Sequence, residues 1–511
     1  MKRSSFHLWV ATTSTAFGAG FLIYSTYVTN NLQVVGEAWL NETYTHMYGI
    51  QPSTATISML WASVIAAKEV GKIIGTFLIP YMAERFGRRG GLLLNSWIVF
   101  AGCLICLFGR QWAYQFIMLG RILLGISMIC GFGLASLFLI EVAPLKSRGS
   151  SGSLIQIFRG LGGTIGMVLA LPEVLGTRSL WSIALAVPMF PALLQFLVLL
   201  FCLESPRHLY ITEGRTEDAA KAVEFYQGPD RVASAMNDLK KEKQQIGQKI
   251  DRAGLVDLLR SSDFWRPMLL TTLALTNRSL AGILPVQSYS TDMFVAAGLS
   301  HYAASHSTVV LGVCHLISAI AVTCTVEKWG RKPMLVAGNV GCLAALLLVA
   351  LFSACSHVVW ARYMAVLSLA LFMLIYPIVA SVSNIVASEI CHQRYRSYAF
   401  TVGLLVYSIV GLASTYAYPL LKHSVGLAFS FIPFCLCLIV TIIIYIIWLP
   451  ETRGKTFESV AFDRNEMKEP LLTPMGSNLE SLGSAEAIFA NHYPVHEADA
   501  SDNSEDEINL L

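Results

Sequence analysis

The chain has 511 residues, 55% of them apolar and only 14% charged, with a mean hydropathy of +0.58. Globular domains run roughly 45–50% apolar and about 25% charged, so this composition excludes an ordinary soluble enzyme and points to an all-α, polytopic membrane protein whose principal partner is the lipid bilayer. A net charge of +3 leaves no basic face for nucleic acid, and the 11 cysteines, almost all in apolar runs, have neither disulfide nor zinc spacing, so no metal or other cofactor is expected.

A bilayer-crossing helix takes about 20 largely apolar residues. In chain order the sequence predicts twelve: 7–29, 54–81, 91–109, 115–140, 151–172, 180–203, 267–294, 304–326, 334–354, 360–388, 398–420 and 427–449. The first follows Lys2 and Arg3, but it is too long for a signal-peptide core and lacks a small-residue cleavage site. With the N-terminus inside, short inner loops carry ten Lys/Arg: Arg85, Arg88, Arg89, Lys146, Arg148, Lys328, Arg331, Lys332, Arg394 and Arg396. The outer loops carry four, Arg110, Arg178, Arg362 and Lys422. That bias places both termini in the cytoplasm.

The organisation expected is an N-terminal six-helix bundle over 1–203, a cytoplasmic helical segment over 204–266, a C-terminal bundle over 267–449 and a cytoplasmic tail over 450–511. The outer loop 30–53 contains the glycosylation sequon Asn41-Glu42-Thr43. Helical patterning in the middle segment centres on Glu217–Phe225 and Ala235–Gln248. Beyond Pro470 the tail has eight acidic residues and no Lys or Arg, a composition expected to be disordered. Its last residues, Asp506-Glu507-Ile508-Asn509-Leu510-Leu511, resemble an acidic dileucine sorting signal. Such a signal would engage a sorting adaptor and make endosomal or lysosomal membrane the alternative to the plasma membrane.

The chain repeats itself at a period near 245 residues. Glu84-Arg85-Phe86-Gly87-Arg88-Arg89 follows helix 2, and Glu327-Lys328-Trp329-Gly330-Arg331-Lys332 follows helix 8. Glu141 precedes Arg148 by seven residues after helix 4, as Glu389 precedes Arg396 after helix 10. Glu204-Ser205-Pro206-Arg207 ends helix 6 and Pro450-Glu451-Thr452-Arg453-Gly454 ends helix 12. Two parallel six-helix halves with substrate between them is the plan of the major facilitator superfamily. Carboxylates and cations together at cytoplasmic helix ends can form inter-helix pairs that lock the outward-open state and break as the inner side opens. The plainer reading is charge that only sets topology.

At these residues the sequence resembles the facilitative sugar (glucose) transporter family, from helix 1 through Phe457. The carriers are Arg85-Phe86-Gly87-Arg88-Arg89, Gly120-Arg121, Pro191-Ala192-Leu193-Leu194-Gln195, Glu204-Ser205-Pro206-Arg207, Tyr289-Ser290-Thr291 and Pro450-Glu451-Thr452-Arg453-Gly454-Lys455-Thr456-Phe457. The resemblance implies alternating access, a hexose substrate and no ATP hydrolysis, in keeping with the lack of a G-x-x-x-x-G-K-[S/T] loop.

The family's sugar contacts are only partly present. Gln156, eight residues after Arg148, matches the family's helix-5 Gln. The helix-7 Gln-Gln pair is replaced by Arg278 and Ser279 and the Asn by Leu284; the helix-10 Trp position holds Asn384, and a helix-8 Asn position holds His315. The replacements are largely basic. Helix 2 adds Lys68, Glu69 and Lys72, and helix 5 adds Arg159, one turn from Gln156. Each ionised residue mid-membrane costs roughly 2.5–3.5 kcal/mol on insertion scales, so the set needs pairing, water or ligand. Glu69 can pair with Lys72, Arg159 can snorkel, and His315 can be an interior histidine. As a group they make a basic cavity suited to an organic anion.

The expected substrate-binding set is therefore Gln156, Arg159, Arg278, Ser279, His315 and Asn384, and the substrate a hexose or an organic anion. The expected cytoplasmic gate is Arg85, Arg88, Arg89, Glu141, Arg148, Glu204, Arg207, Glu327, Arg331, Lys332, Glu389, Arg396 and Glu451. Proton-linked relatives hold an acid shortly after Phe-Gly on helix 1; here the stretch is Phe17-Gly18-Ala19-Gly20-Phe21, which favours a uniporter over a proton symporter. A transport-inactive receptor on the same fold is the competing class. No clustered acid/base or metal-ligand set supports an enzyme.

Overall fold

The computed structural model describes residues 3–144, 148–249, 262–325, 329–355, 357–390 and 393–451. Among them every regular element is a helix. Twelve spans follow one another: span 1 (Arg3–Phe21 and Tyr24–Asn31), span 2 (Thr54–Arg85), span 3 (Gly87–Gly109), span 4 (Tyr114–Val142), span 5 (Arg148–Leu169) and span 6 (Trp181–Ala186 and Met189–Leu200) make one half. Span 7 (Ser262–Leu280 and Ile283–Ala296), span 8 (His301–Thr325), span 9 (Arg331–Ala354), span 10 (Val359–Ile390), span 11 (Gln393–Val425) and span 12 (Ile432–Trp448) make the other.

Ten of these are long and apolar enough to cross a bilayer. Span 2 falls short because Lys68, Glu69 and Lys72 interrupt it, and span 5 contributes the shorter apolar stretch Leu154–Leu169. Across the spans, apolar faces turn outward. Phe77, Trp97, Leu351 and Val440 are all more than half exposed, which is what a lipid-facing surface looks like without its lipid.

Three spans are broken rather than continuous. Span 7 turns at Ala281–Gly282, where Gly282 adopts φ +78°, a left-handed conformation that glycine takes without a Cβ penalty. Span 1 is interrupted at Leu22–Ile23 and span 6 at Val187–Pro188. Breaks at membrane depth free backbone groups and are tolerated where the helix lines a cavity.

The outer segment after span 1 is not a loop. Gln33–Tyr48 is a helix closed by Gly49 at φ +69°, with Asn41 exposed on it and Glu42 paired with Arg178. On the opposite side, Thr216–Gln227 and Val232–Lys249 form helices after span 6, and His7 of span 1 stacks on Phe225 at 4.3 Å.

The halves meet along three seams: span 5 on span 8, span 2 on span 11, and the outer parts of spans 1 and 7 on each other. The last seam is polar. Asn30 Nδ2 donates to Ser290 Oγ at 2.5 Å, Thr291 N donates to Asn30 Oδ1 at 2.9 Å, and Thr291 Oγ1 donates to Asn31 Oδ1 at 2.5 Å.

Candidate functional site

Between the halves, beneath that seam, lies a small space of about 10 Å³, nearly closed by its lining of Ile23, Gln156, Arg159, Arg278, Gln287, His315, Ala319, Tyr376, Pro377, Ala380 and Ser381. The broken helices of spans 1 and 7 both border it. Span 5 supplies Gln156 and Arg159 from one face, one turn apart. Span 7 supplies Arg278 below its break and Gln287 above it, so the break splits two polar groups around the space.

Arg278 is the most constrained of these. It is 5% exposed, its guanidinium donates to Asn384 Oδ1 at 3.2 Å, bonds the Tyr376 hydroxyl, and lies 5.1 Å over the Tyr407 ring. Its Nε has no hydrogen-bond partner. Arg159 lies 5.7 Å over the Phe132 ring. His315 packs among Tyr27 and Tyr376, both at 6.2 Å between ring centres, and its Nδ1 is without a partner. No carboxylate is in the lining. The space thus offers two guanidinium groups, one imidazole, two amides and Tyr376, with donor capacity left over.

Two of the expected lining residues stand elsewhere. Ser279 is fully buried and donates to the Tyr407 carbonyl at 3.1 Å. It follows Arg278 on the helix, about 100° round the axis, and its hydroxyl is turned to span 11 rather than to the cavity. Asn384 sits behind Arg278 as its acceptor rather than in the wall. Gln287 was not anticipated. It donates to the Tyr27 hydroxyl at 2.8 Å across the halves.

The helix-2 charges lie apart from the space. Lys68, Glu69 and Lys72 are each 1% exposed. Lys68 donates to Thr26 Oγ1 at 2.5 Å and stands 3.4 Å from Glu69; Lys72 pairs with the other oxygen of Glu69 and lies 4.8 Å over the Tyr407 ring. A fourth buried charge, Arg121 on span 4, appeared in the sequence only as part of Gly120-Arg121. Its depth, eight residues into an apolar span, was the available signal.

At the helix ends that carry the repeated charged motifs, ion pairs brace each half. Arg88 binds Glu141 at 2.9 Å and His208 Nδ1 at 2.8 Å; Arg207 reaches both Glu141 at 3.4 Å and Glu242 at 2.8 Å. Glu204 receives backbone N–H groups of Arg88 and Arg89. In the other half Arg331 pairs with Glu389 at 3.5 Å, and Glu451 receives the backbone N–H groups of Arg331 and Lys332. Arg88–Glu141, Arg207–Glu141 and Arg331–Glu389 each join different elements within one half, and there they fix helix ends within the bundle. Arg85 is exposed and holds no ion pair among the described residues. Glu327, Leu510 and Leu511 lie outside the described residues, as do the side chains of Arg148 and Arg396.

With this geometry in view, the sequence model of the family described as "Sugar (and other) transporter" matches residues 11–463. The chain is 30% identical over 493 residues to human solute carrier family 2, facilitated glucose transporter member 4, covering 94% of this chain and 95% of that protein. It is 28% identical over 446 residues to member 1 from Gallus gallus, covering 86% and 89%. Among solved structures, the proton:xylose symporter XylE bound to 6-bromo-6-deoxy-D-glucose superposes with a TM-score of 0.73 at 20% identity, over 90% of this chain and 99% of that one. The partially occluded inward-open form of XylE from E. coli gives 0.72 at 18% identity, over 88% and 100%.

Proposed function

This chain belongs to the sugar (and other) transporter family, and we propose that within it the chain carries a small organic anion by facilitative uniport. It is an integral multi-pass membrane transporter of the major facilitator superfamily and not an enzyme. The observation that carries the reading is the pair of guanidinium groups, Arg159 and Arg278, on a lining without a carboxylate. Arginine's planar fork suits carboxylate or urate-like acceptors, and a site with surplus N–H donors favours a solute rich in acceptors.

Uniport is supported by two features. The Phe17–Phe21 stretch has no acid, and Glu69 is engaged by Lys68 and Lys72 and does not line the cavity. A second reading, a neutral hexose, is favoured by Gln156 and Gln287 on the cavity and by the glucose transporters to which the chain is similar.

Topology and trafficking follow the sequence. We propose cytoplasmic termini, a glycan at Asn41 on the exposed outer helix, and recognition of Leu510-Leu511 by a sorting adaptor. Loss of an endoglycosidase-sensitive mobility shift in Asn41→Gln checks the first two together.

The test of substrate class is a ligand panel read by thermal shift on the purified protein, since a ligand of the fold stabilises by RT ln(1 + [L]/Kd). Stabilisation by urate, ascorbate, or mono- and dicarboxylates, lost in Arg278→Gln, supports the proposal. Stabilisation by hexoses alone, unchanged in Arg278→Gln, overturns it and makes Arg278 structural.

A further inference from the structure

We propose that Lys68, Lys72 and Arg121 hold a monatomic inorganic anion, chloride in the cell, at a site separate from the substrate cavity. None of the three lines that cavity. The proposal does not rest on the substrate being an anion.

The argument starts from how closely spans 2 and 4 approach. A Cβ on Gly125 would fall 2.0 Å from the Lys68 carbonyl oxygen, and one on Gly71 would fall 2.0 Å from that of Ile122. The two helices are therefore in backbone contact at this level, and Arg121, one turn from Gly125, enters the same layer as Lys68. Its guanidinium is within electrostatic reach of Lys68 and Glu69. Across the layer, a Cβ on Gly411 of span 11 would come 2.9 Å from Glu69 Oε2.

Three cations and one carboxylate thus share a dry layer, each 1% exposed. Glu69 accounts for one positive charge, through its contacts with Lys68 and Lys72. With all four groups ionised, the remainder is a net charge of +2 without a described counter-charge. Arg121 makes the deficit concrete: Nε and both terminal nitrogens are buried, and none has a hydrogen-bond partner. Buried ionised groups are stable only when paired and hydrogen-bonded. Water could accept from the guanidinium, but it would leave the charge uncompensated. An anion supplies both. Spans 2 and 4 are in backbone contact here, so a monatomic ion displaces the least of the layer, which selects chloride over phosphate or a carboxylate. Tyr407 separates this layer from the cavity, facing Lys72 on one hand and Arg278 on the other.

The experiment is a thermal titration of the full-length protein in detergent, exchanging sodium gluconate for sodium chloride at constant ionic strength. Tm should rise saturably with chloride in the wild type. Glu69→Gln removes the competing carboxylate and should lower the half-saturating chloride concentration several-fold. Arg121→Gln should raise it at least tenfold. Equal Tm in chloride and gluconate overturns the proposal, as does a chloride response undiminished in Arg121→Gln. Should Arg121→Gln not fold, an unchanged half-saturation in Glu69→Gln overturns it instead.

Discussion

Glu204 and Arg89 cap each other's helices. The Glu204 carboxylate accepts the Arg89 backbone N–H at 3.0 Å, at the start of span 3, while the Arg89 guanidinium donates to the carbonyls of Leu199 at 2.7 Å and Leu200 at 3.0 Å, at the end of span 6. An anion thus sits at a positive helix terminus and a cation at a negative one, each satisfying groups the helix cannot satisfy itself. The second half repeats the arrangement. Glu451 accepts the Lys332 N–H at 3.2 Å, and Lys332 Nζ donates to the Ile446 carbonyl at 2.8 Å at the end of span 12.

Removing either member should therefore destabilise both helix ends at once. Glu204→Gln and Arg89→Gln are each expected to cost about 1–2 kcal/mol, the range of a lost cap plus its dipole interaction. The double variant should cost less than the sum, because each single change already spoils the shared junction. Thermal unfolding of the purified protein checks this. Strict additivity would show that the two contacts act independently.

The outer seam makes a different prediction. Asn30 alone makes three contacts across the halves, with the Gln287 carbonyl, with Ser290 and with the Thr291 N–H. Interhelical hydrogen bonds in membranes are worth about 0.6–2 kcal/mol each, so Asn30→Ala should favour the outward-open state by roughly 1–2 kcal/mol, a factor of about 5–30. Thr308, fully buried beside Thr291 at 2.9 Å, is the reporter. Thr308→Cys should react with an impermeant thiol reagent several-fold faster when Asn30→Ala is present. No acceleration would mean that packing, not this polar seam, closes the outer side.

Much of this was legible beforehand because lipid imposes it. Apolar runs of sufficient length reveal the spans, and the charged motifs at their inner ends reveal the repeat. Counting from those motifs placed Gln156, Arg159, Arg278 and His315 on the cavity. The same counting did not foresee that the Ser279 hydroxyl is taken up by the Tyr407 carbonyl, a packing fact that no list of substituted positions carries. Gln287 escaped because it occupies a position where the resemblance offered no polar contact; only the break at Gly282 turns it toward the space. Gln33–Tyr48 was read as a loop because it is too polar to span a bilayer, although only Gly36 interrupts it before Gly49. Arg121 was absorbed into a motif, and its lack of partners is a fact about neighbours that no linear pattern records.

Glu37, on the outer helix, carries a pH prediction. Burial raises its carboxyl above the ordinary value of 4.5, opposed by a hydrogen bond from Gln33 at 3.0 Å. A raised carboxyl favours the protonated form in the fold. Its stabilising contribution is therefore complete below the unfolded value near 4.5 and is lost as pH rises through the folded value. Glu37→Gln should flatten the fall in Tm on going up from pH 4.5 through that range. A profile identical to wild type would show that Glu37 ionises as freely in the fold as outside it.

Asn384 tests how Arg278 is aimed. Its Oδ1 accepts from the guanidinium at 3.2 Å, from behind the cavity wall, while Tyr376 and Tyr407 hold the other sides. Asn384→Leu keeps the volume and deletes the acceptor. A hydrogen bond to a charged group is worth about 1.5–3 kcal/mol, and part of that loss should be recovered by whatever anion Arg278 then meets. The remainder is the cost of a less pre-organised arginine, about 1 kcal/mol, or roughly five-fold in affinity. The expected result in proteoliposome uptake is a KM for the organic anion raised about five-fold, with Vmax changed far less. Arg278→Gln should abolish the same uptake rather than shift its KM, because it removes the cation and not its orientation. If Asn384→Leu left KM unchanged, the two tyrosines alone would fix the guanidinium, and the residue that replaced the family's tryptophan would be filling space.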